Sequence, residues 1–147
     1  MNQKVIEKAG EIIKSRANYI NDGGEVATIA LIDENGYPTA SVKTISRAEG
    51  IKWVTFNTSL DTEAVKRIKN NNKASICINS SNYNISLTGT IEILTDQETK
   101  NENWFEPMAG QWSGAEAPEF CVLRFNTESY NIFIFNEEEF LEEKGTL

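Results

Sequence analysis

The chain predicts a mainly β fold, a small antiparallel barrel of about six strands with flanking helices. Apolar runs of strand length recur along it, separated by turn signals. Most links between them are too short for the crossovers that parallel strands need. The first and third runs are apolar on both faces, as in a barrel with one face inward and the other covered by a helix or a second subunit.

The residue order is helix, three strands, helix, two strands, helix, then one or two strands. Met1–Asn21 reads as an amphipathic helix, with Val5, Ile6, Ala9, Ile12, Ile13, Ala17 and Ile20 at three-and-four spacing and a stop at NDGG. Glu25–Asp33 and Thr39–Ser46 are strands joined across the turn ENGYP, and RAEG turns the chain into Ile51–Asn57. Alternation in the second strand sets Ala40, Val42 and Thr44 on one face and Ser41, Lys43 and Ile45 on the other. On the residues alone, Lys43 reads as a solvent-facing lysine ahead of a ligand. Leu60–Asn70 is helical, with Ala64, Val65 and Ile68 at helical spacing.

Lys73–Asn79 and Ile85–Leu94 form the next pair of strands, and Gly89 inside the second marks a bulge or a close approach by other atoms. Thr95–Asn103 is helical with Thr95 or Asp96 as cap, and Trp104–Pro118 is irregular. Phe120–Phe125 and Tyr130–Phe135 form the last strand or strand pair, and Asn136–Lys144 is an acidic short helix or frayed end. Trp53, Trp104 and Trp112 are candidate interface residues, although aromatics more often fill cores. No repeat or linker divides the sequence, so residues 1–147 read as one domain.

Charge and composition narrow the function. A formal net charge of −8 opposes a polynucleotide partner, which needs a basic field. No apolar run reaches membrane-span length and MNQKVIEKAG lacks a signal-peptide core. With only Cys77 and Cys121 a disulfide framework is not implied, so a cytoplasmic protein is expected. Without histidine there is no His-based triad, and little remains to bind zinc or haem.

The stretch Ile51–Asn72 is the most informative. A strand runs into Thr58 and Ser59 and then into a helix, and free N–H groups beside hydroxyls suit an anion or phosphate. The competing reading is that Thr58, Ser59 or Asp61 only caps the helix, the commoner use of such residues.

In order and spacing, DENGYP, PTASVKTI, WVTFNTSLDTEAVKRIKNNNKASICI, ISLTGTIEIL and NWFEPMAGQW resemble the pyridoxamine 5′-phosphate oxidase-like family, closest to its general stress protein 26 branch. The resemblance covers about Glu11 to Phe135. It implies a six-stranded antiparallel split barrel of the FMN-binding type, working as a homodimer with FMN at the subunit interface. It places Thr58, Ser59 and Thr62 at the phosphate, and Val42, Lys43 and Thr44 along the isoalloxazine edge. Asn57, Asn84 and Trp112 complete the implied cofactor set, with Trp112 in the segment that reaches the partner's flavin. The chain departs from the pattern at Ala64, where the family has a lysine, and at Ser41 or Val42, where it often has an arginine. Each lost cation forgoes a charge-assisted bond of about 1.5–3 kcal/mol.

The implied function is an FMN-dependent oxidoreductase for a small substrate, in which the flavin carries the redox chemistry. The alternatives are a non-catalytic flavin-binding stress protein and a cofactor-free dimeric barrel serving as an interaction module. Pyridoxamine phosphate oxidation itself is not expected, because no Arg/His-bearing segment follows Phe135.

Overall fold

A computed structural model describes residues 3–17 and 25–147. Helix α1 (Gln3–Ser15) precedes the antiparallel strands β1 (Val26–Ile32), β2 (Pro38–Glu49) and β3 (Trp53–Ser59). Helix α2 (Glu63–Asn70) leads to β4 (Lys73–Ser80) and β5 (Tyr83–Leu94). Helix α3 (Gln97–Glu102) and a 3₁₀ turn (Glu106–Gly110) come before β6 (Phe120–Phe135) and β7 (Phe140–Thr146). The strand order is β3-β2-β1-β4-β5-β6-β7, and pairing of β3 with β6 closes the first six into a barrel. The expected six-stranded antiparallel barrel is therefore present, with one strand added.

That added strand corrects the reading of the acidic tail. Glutamate-rich residues favour a helix locally, but Phe140–Thr146 completes the unpaired edge of β6, from Phe135↔Phe140 to Ser129↔Thr146. The Asn136 side chain starts the hairpin, its Oδ1 accepting from the backbone N–H groups of Glu138 and Glu139 at 2.9 Å. Tyr130–Phe135 is not a separate strand, because β6 runs unbroken over 16 residues.

Other boundaries move as well. Helix α1 ends at Ser15, and Ala17 lies beyond it. Ile20 and the NDGG stop lie outside the described residues. RAEG belongs mostly to β2, and the turn falls at Gly50, whose φ of +55° suits glycine. Thr58 and Ser59 belong to β3. Helix α2 begins only at Glu63 with Thr62 as its cap, so none of Thr58, Ser59 and Asp61 fills that role.

Alternation along the strands fills the barrel. Ile29, Ile45, Phe56, Ile76, Ile85, Leu87, Leu123 and Ile132 are fully enclosed, and α1 adds Val5, Ala9 and Ile13 to the same core. A second cluster lies outside β3 and β6. There Met108, Trp112, Ala117, Phe120 and Val122 pack with Trp104, so Trp104 and Trp112 serve the chain's own packing.

Gly89 sits at a register shift between β5 and β6, and a Cβ there would run into the carbonyl oxygen of Asn126. Gly89→Ala is expected to destabilise the fold by about 1–3 kcal/mol. Thermal unfolding checks this, and an unchanged Tm would contradict the close approach.

Candidate functional site

The barrel opens between β2 and β3. Their pairing runs from Glu49↔Trp53 through Ala48↔Val54 to Ile45↔Phe56, and the register carries it no further. Beyond that point β2 pairs with β1 alone, from Thr44↔Val26 to Pro38↔Ile32. On the other lip Asn57, Thr58 and Ser59 pair with Val122, Cys121 and Phe120 of β6. Backbone groups left facing the gap need a partner or water.

Side-chain parity decides what enters the gap. Ala27↔Lys43 and Ile29↔Ser41 place Lys43 and Ser41 on the side of the buried Ala27 and Ile29. Lys43 therefore faces the barrel interior, which corrects the solvent-facing reading. It is half-buried, and burial lowers its ammonium pKa, with Cys121 acting in the opposite direction. Among the described residues no carboxylate pairs with it. Thr58, 7% exposed, alternates with Val54 and Phe56 and so turns inward from the opposite lip.

Asn57 and Ser59 turn the other way, toward the second cluster. The Asn57 amide donates to the Asn103 carbonyl at 2.8 Å and to the Met108 sulfur at 3.1 Å, leaving its buried Oδ1 without a partner among the described residues. Ser59 Oγ accepts from Trp112 Nε1 at 3.0 Å, and Trp112 packs on Phe120 with centroids 4.9 Å apart. Trp112 thus braces its own chain's lip. The Thr62 hydroxyl donates to the Ser59 carbonyl at 3.0 Å and accepts from the Val65 N–H at 3.4 Å. Its bonding is spent on the helix start.

Val42 and Thr44 point outward, Val42 with 62% of its surface exposed. Asn84 is also on the outer face and accepts from the Cys77 thiol at 3.3 Å. Three strand spacings, β2 to β1 to β4 to β5, put it about 14 Å from the β2 lip. One chain alone does not bring Asn84 to the opening.

The outer face has a further property. The rows Val42–Thr28–Cys77–Ser86–Asn131 and Ala40–Ala30–Ser75–Thr88–Ser129 cross five strands without a charged residue. For a chain that is 24% charged, such a face is unusual and suits burial against protein.

Cys121 was not singled out by sequence. Its alternation with Leu123 and Phe125 in FCVLRF was the available signal, and only strand pairing sets it opposite Thr58. Burial pushes its thiol up to about 11, while the cations of Lys100, Lys43 and Lys69 pull it partway back. A thiol so protonated is a poor nucleophile.

A six-stranded barrel opened between two strands, with a cation turned into the opening, defines a split-barrel protein. The chain matches the family model described as pyridoxamine 5′-phosphate oxidase over residues 18–132, and it belongs to that family. Among solved structures, a Clostridium acetobutylicum protein related to general stress protein 26 is similar at 24% identity and TM-score 0.76, covering 98% of this chain and 96% of that one. General stress protein 26 from Bacillus anthracis is similar at 18% identity and TM-score 0.66, covering 89% and 98%. A pyridoxamine 5′-phosphate oxidase-related, FMN binding protein from Nostoc punctiforme is similar at 15% identity and TM-score 0.58, covering 93% and 94%. At these identities the likeness establishes a shared fold. No curated protein matches the chain.

Thiol accessibility tests the account of Cys121. With a pKa of about 11, roughly one thiol in a thousand is ionised at pH 8. Mass mapping after iodoacetamide at pH 8 is expected to leave native Cys121 unmodified and to label it once the chain is unfolded in guanidinium. Rapid native labelling would contradict the burial.

Proposed function

We propose that this chain is a single-domain FMN-binding flavoprotein that acts as a cytoplasmic homodimer and as an oxidoreductase on a small substrate. The observation that carries this reading is Lys43, a half-buried cation turned into the split with no carboxylate partner among the described residues. An unbalanced buried cation favours an anionic ligand, because partner and charge are then supplied together. The Nostoc relative described as FMN binding makes flavin mononucleotide the anion of choice.

The residues present fit such a ligand, with one economy. Lys43 and the Thr58 hydroxyl face the opening from its two lips. Ser59 turns its hydroxyl to Trp112 on the other face of the lip and fixes the lip there. Thr62 holds the helix start in place, and the N–H groups of Glu63 and Ala64 add the positive end of α2. Val42 and Thr44 offer backbone groups on the β2 lip, while Asn57 and Trp112 hold the β3 lip from outside. Ala64 brings no cation, so Lys43 carries more of the charge balance.

A second copy packed on the uncharged outer face would bring its Asn84 to this opening, which a single chain's Asn84 does not reach. When bound, the flavin supplies the electron transfer, and the protein's part is to position the ring and exclude water. The partly buried Ala64, which packs against the core where a cation would serve a phosphate, favours a second reading, a cofactor-free interaction module.

Flavin titration separates the two. The protein is expected to quench FMN fluorescence, and Lys43→Met to weaken FMN binding about 10- to 100-fold, equivalent to about 1.5–3 kcal/mol for a hydrogen bond to a charged group. Absence of quenching would favour the interaction module, and FMN affinity unchanged in Lys43→Met would remove Lys43 from the site.

A further inference from the structure

The outer sheet face ends in an aromatic group that the flavin reading leaves unused. Phe133 and Phe135 of β6 and Phe140 of β7 lie on the same outward face as Asn84, with Asn84↔Phe133 and Phe135↔Phe140 as register partners. The rings stack, Phe133 on Phe140 with centroids 6.0 Å apart at 27° and Phe135 on Phe140 at 6.3 Å and 22°. They are not core, since Phe140 is 61% exposed and Phe135 40%. Three rings nearly parallel, with Phe135 and Phe140 open to solvent and Phe133 half-buried behind them, make a platform for another flat molecule.

The surrounding charge selects among flat molecules. Glu142 is the register partner of Phe133 and shares its face, and the hairpin carries exposed Glu137, Glu138 and Glu139. Lys8 approaches Glu139 at 3.6 Å, and Lys144 lies opposite Asn131, so the acidic groups still predominate. An anion meets like charge here, whereas a neutral or cationic aromatic does not.

We propose that Phe133, Phe135 and Phe140 form the substrate platform, and that the substrate is a planar aromatic molecule, neutral or cationic and without a phosphate group. This rests on the reading that FMN lies beside Asn84 at a subunit interface. The platform begins one strand from Asn84, about 5 Å across the pair, so a molecule stacked on it lies beside an FMN held at Asn84. The family's description names a phosphorylated substrate, and the charge around this platform selects against one.

The test uses the FMN-loaded protein and saturation-transfer NMR with three flat probes: menadione (neutral), 1-methylnicotinamide (cationic) and pyridoxal 5′-phosphate (anionic). Menadione and 1-methylnicotinamide are expected to bind at least tenfold more tightly than pyridoxal 5′-phosphate. Phe135→Ser with Phe140→Ser should abolish their signal while flavin quenching and dimer mass stay unchanged. Phe140→Leu, which keeps apolar area, serves if the double variant fails to fold and should weaken both probes several-fold. Pyridoxal 5′-phosphate binding as tightly as menadione would overturn the proposal, as would unchanged probe binding in the variants. A double variant that becomes monomeric would also overturn it, by making the rings a subunit contact. Failure to load FMN at all would refute the flavin reading instead.

Discussion

Everything at the candidate site follows from where the β2–β3 ladder stops. Up to Ile45↔Phe56 the two strands share hydrogen bonds, and beyond it each keeps a different neighbour, β1 for β2 and β6 for β3. Paired backbone is self-satisfied and leaves no room for a ligand, whereas parted strands expose donors, acceptors and the side chains between them. The register shift between Ile45 and Ala48 is where that parting begins. From it come the inward turn of Lys43, the shelter of Thr58 and the position of Cys121. β6 keeps the barrel closed nonetheless, because it pairs with β3 and β5 at once.

The lips are held by different means. The β3 lip is braced by buried polar bonds from the covering layer. Asn103 Oδ1 accepts from Ser46 and from Thr55, each at 2.7 Å, while Asn57 and Ser59 are tied to Asn103, Met108 and Trp112. These bonds fix the geometry of the lip, with the buried Asn57 Oδ1 left unpartnered among the described residues. The β2 lip has β1 behind it, and its outward side chains Ala40, Val42 and Thr44 are exposed. A rigid lip facing an uncovered one is a reasonable arrangement for a site completed by another surface.

Much of this was legible in the sequence, and the failures have a common cause. The order of elements along the chain as far as β6, the Gly89 irregularity and the helix after β3 followed from periodicity and punctuation, which are local. The alternation of Ser41, Lys43 and Ile45 was also legible. What alternation could not say is which face is interior, since Ala27 and Ile29 decide that from another strand. The acidic tail failed in the same way, because helix propensity in EEEFLEEK is local while the free edge of β6 is not. Thr62 took the cap because β3 runs two residues further than its apolar stretch suggests, pairing Thr58 and Ser59 with Cys121 and Phe120. The phosphate hydroxyls implied by resemblance divide between two faces for that reason, and only tertiary pairing reveals it.

The central claim is that the gap between the lips is a binding site, and amide hydrogen exchange reads it most directly. On adding FMN, the segments 38–44 and 57–59 are expected to gain protection together, with little change in β4 or in β7. Unchanged exchange in both segments at saturating FMN would contradict the claim.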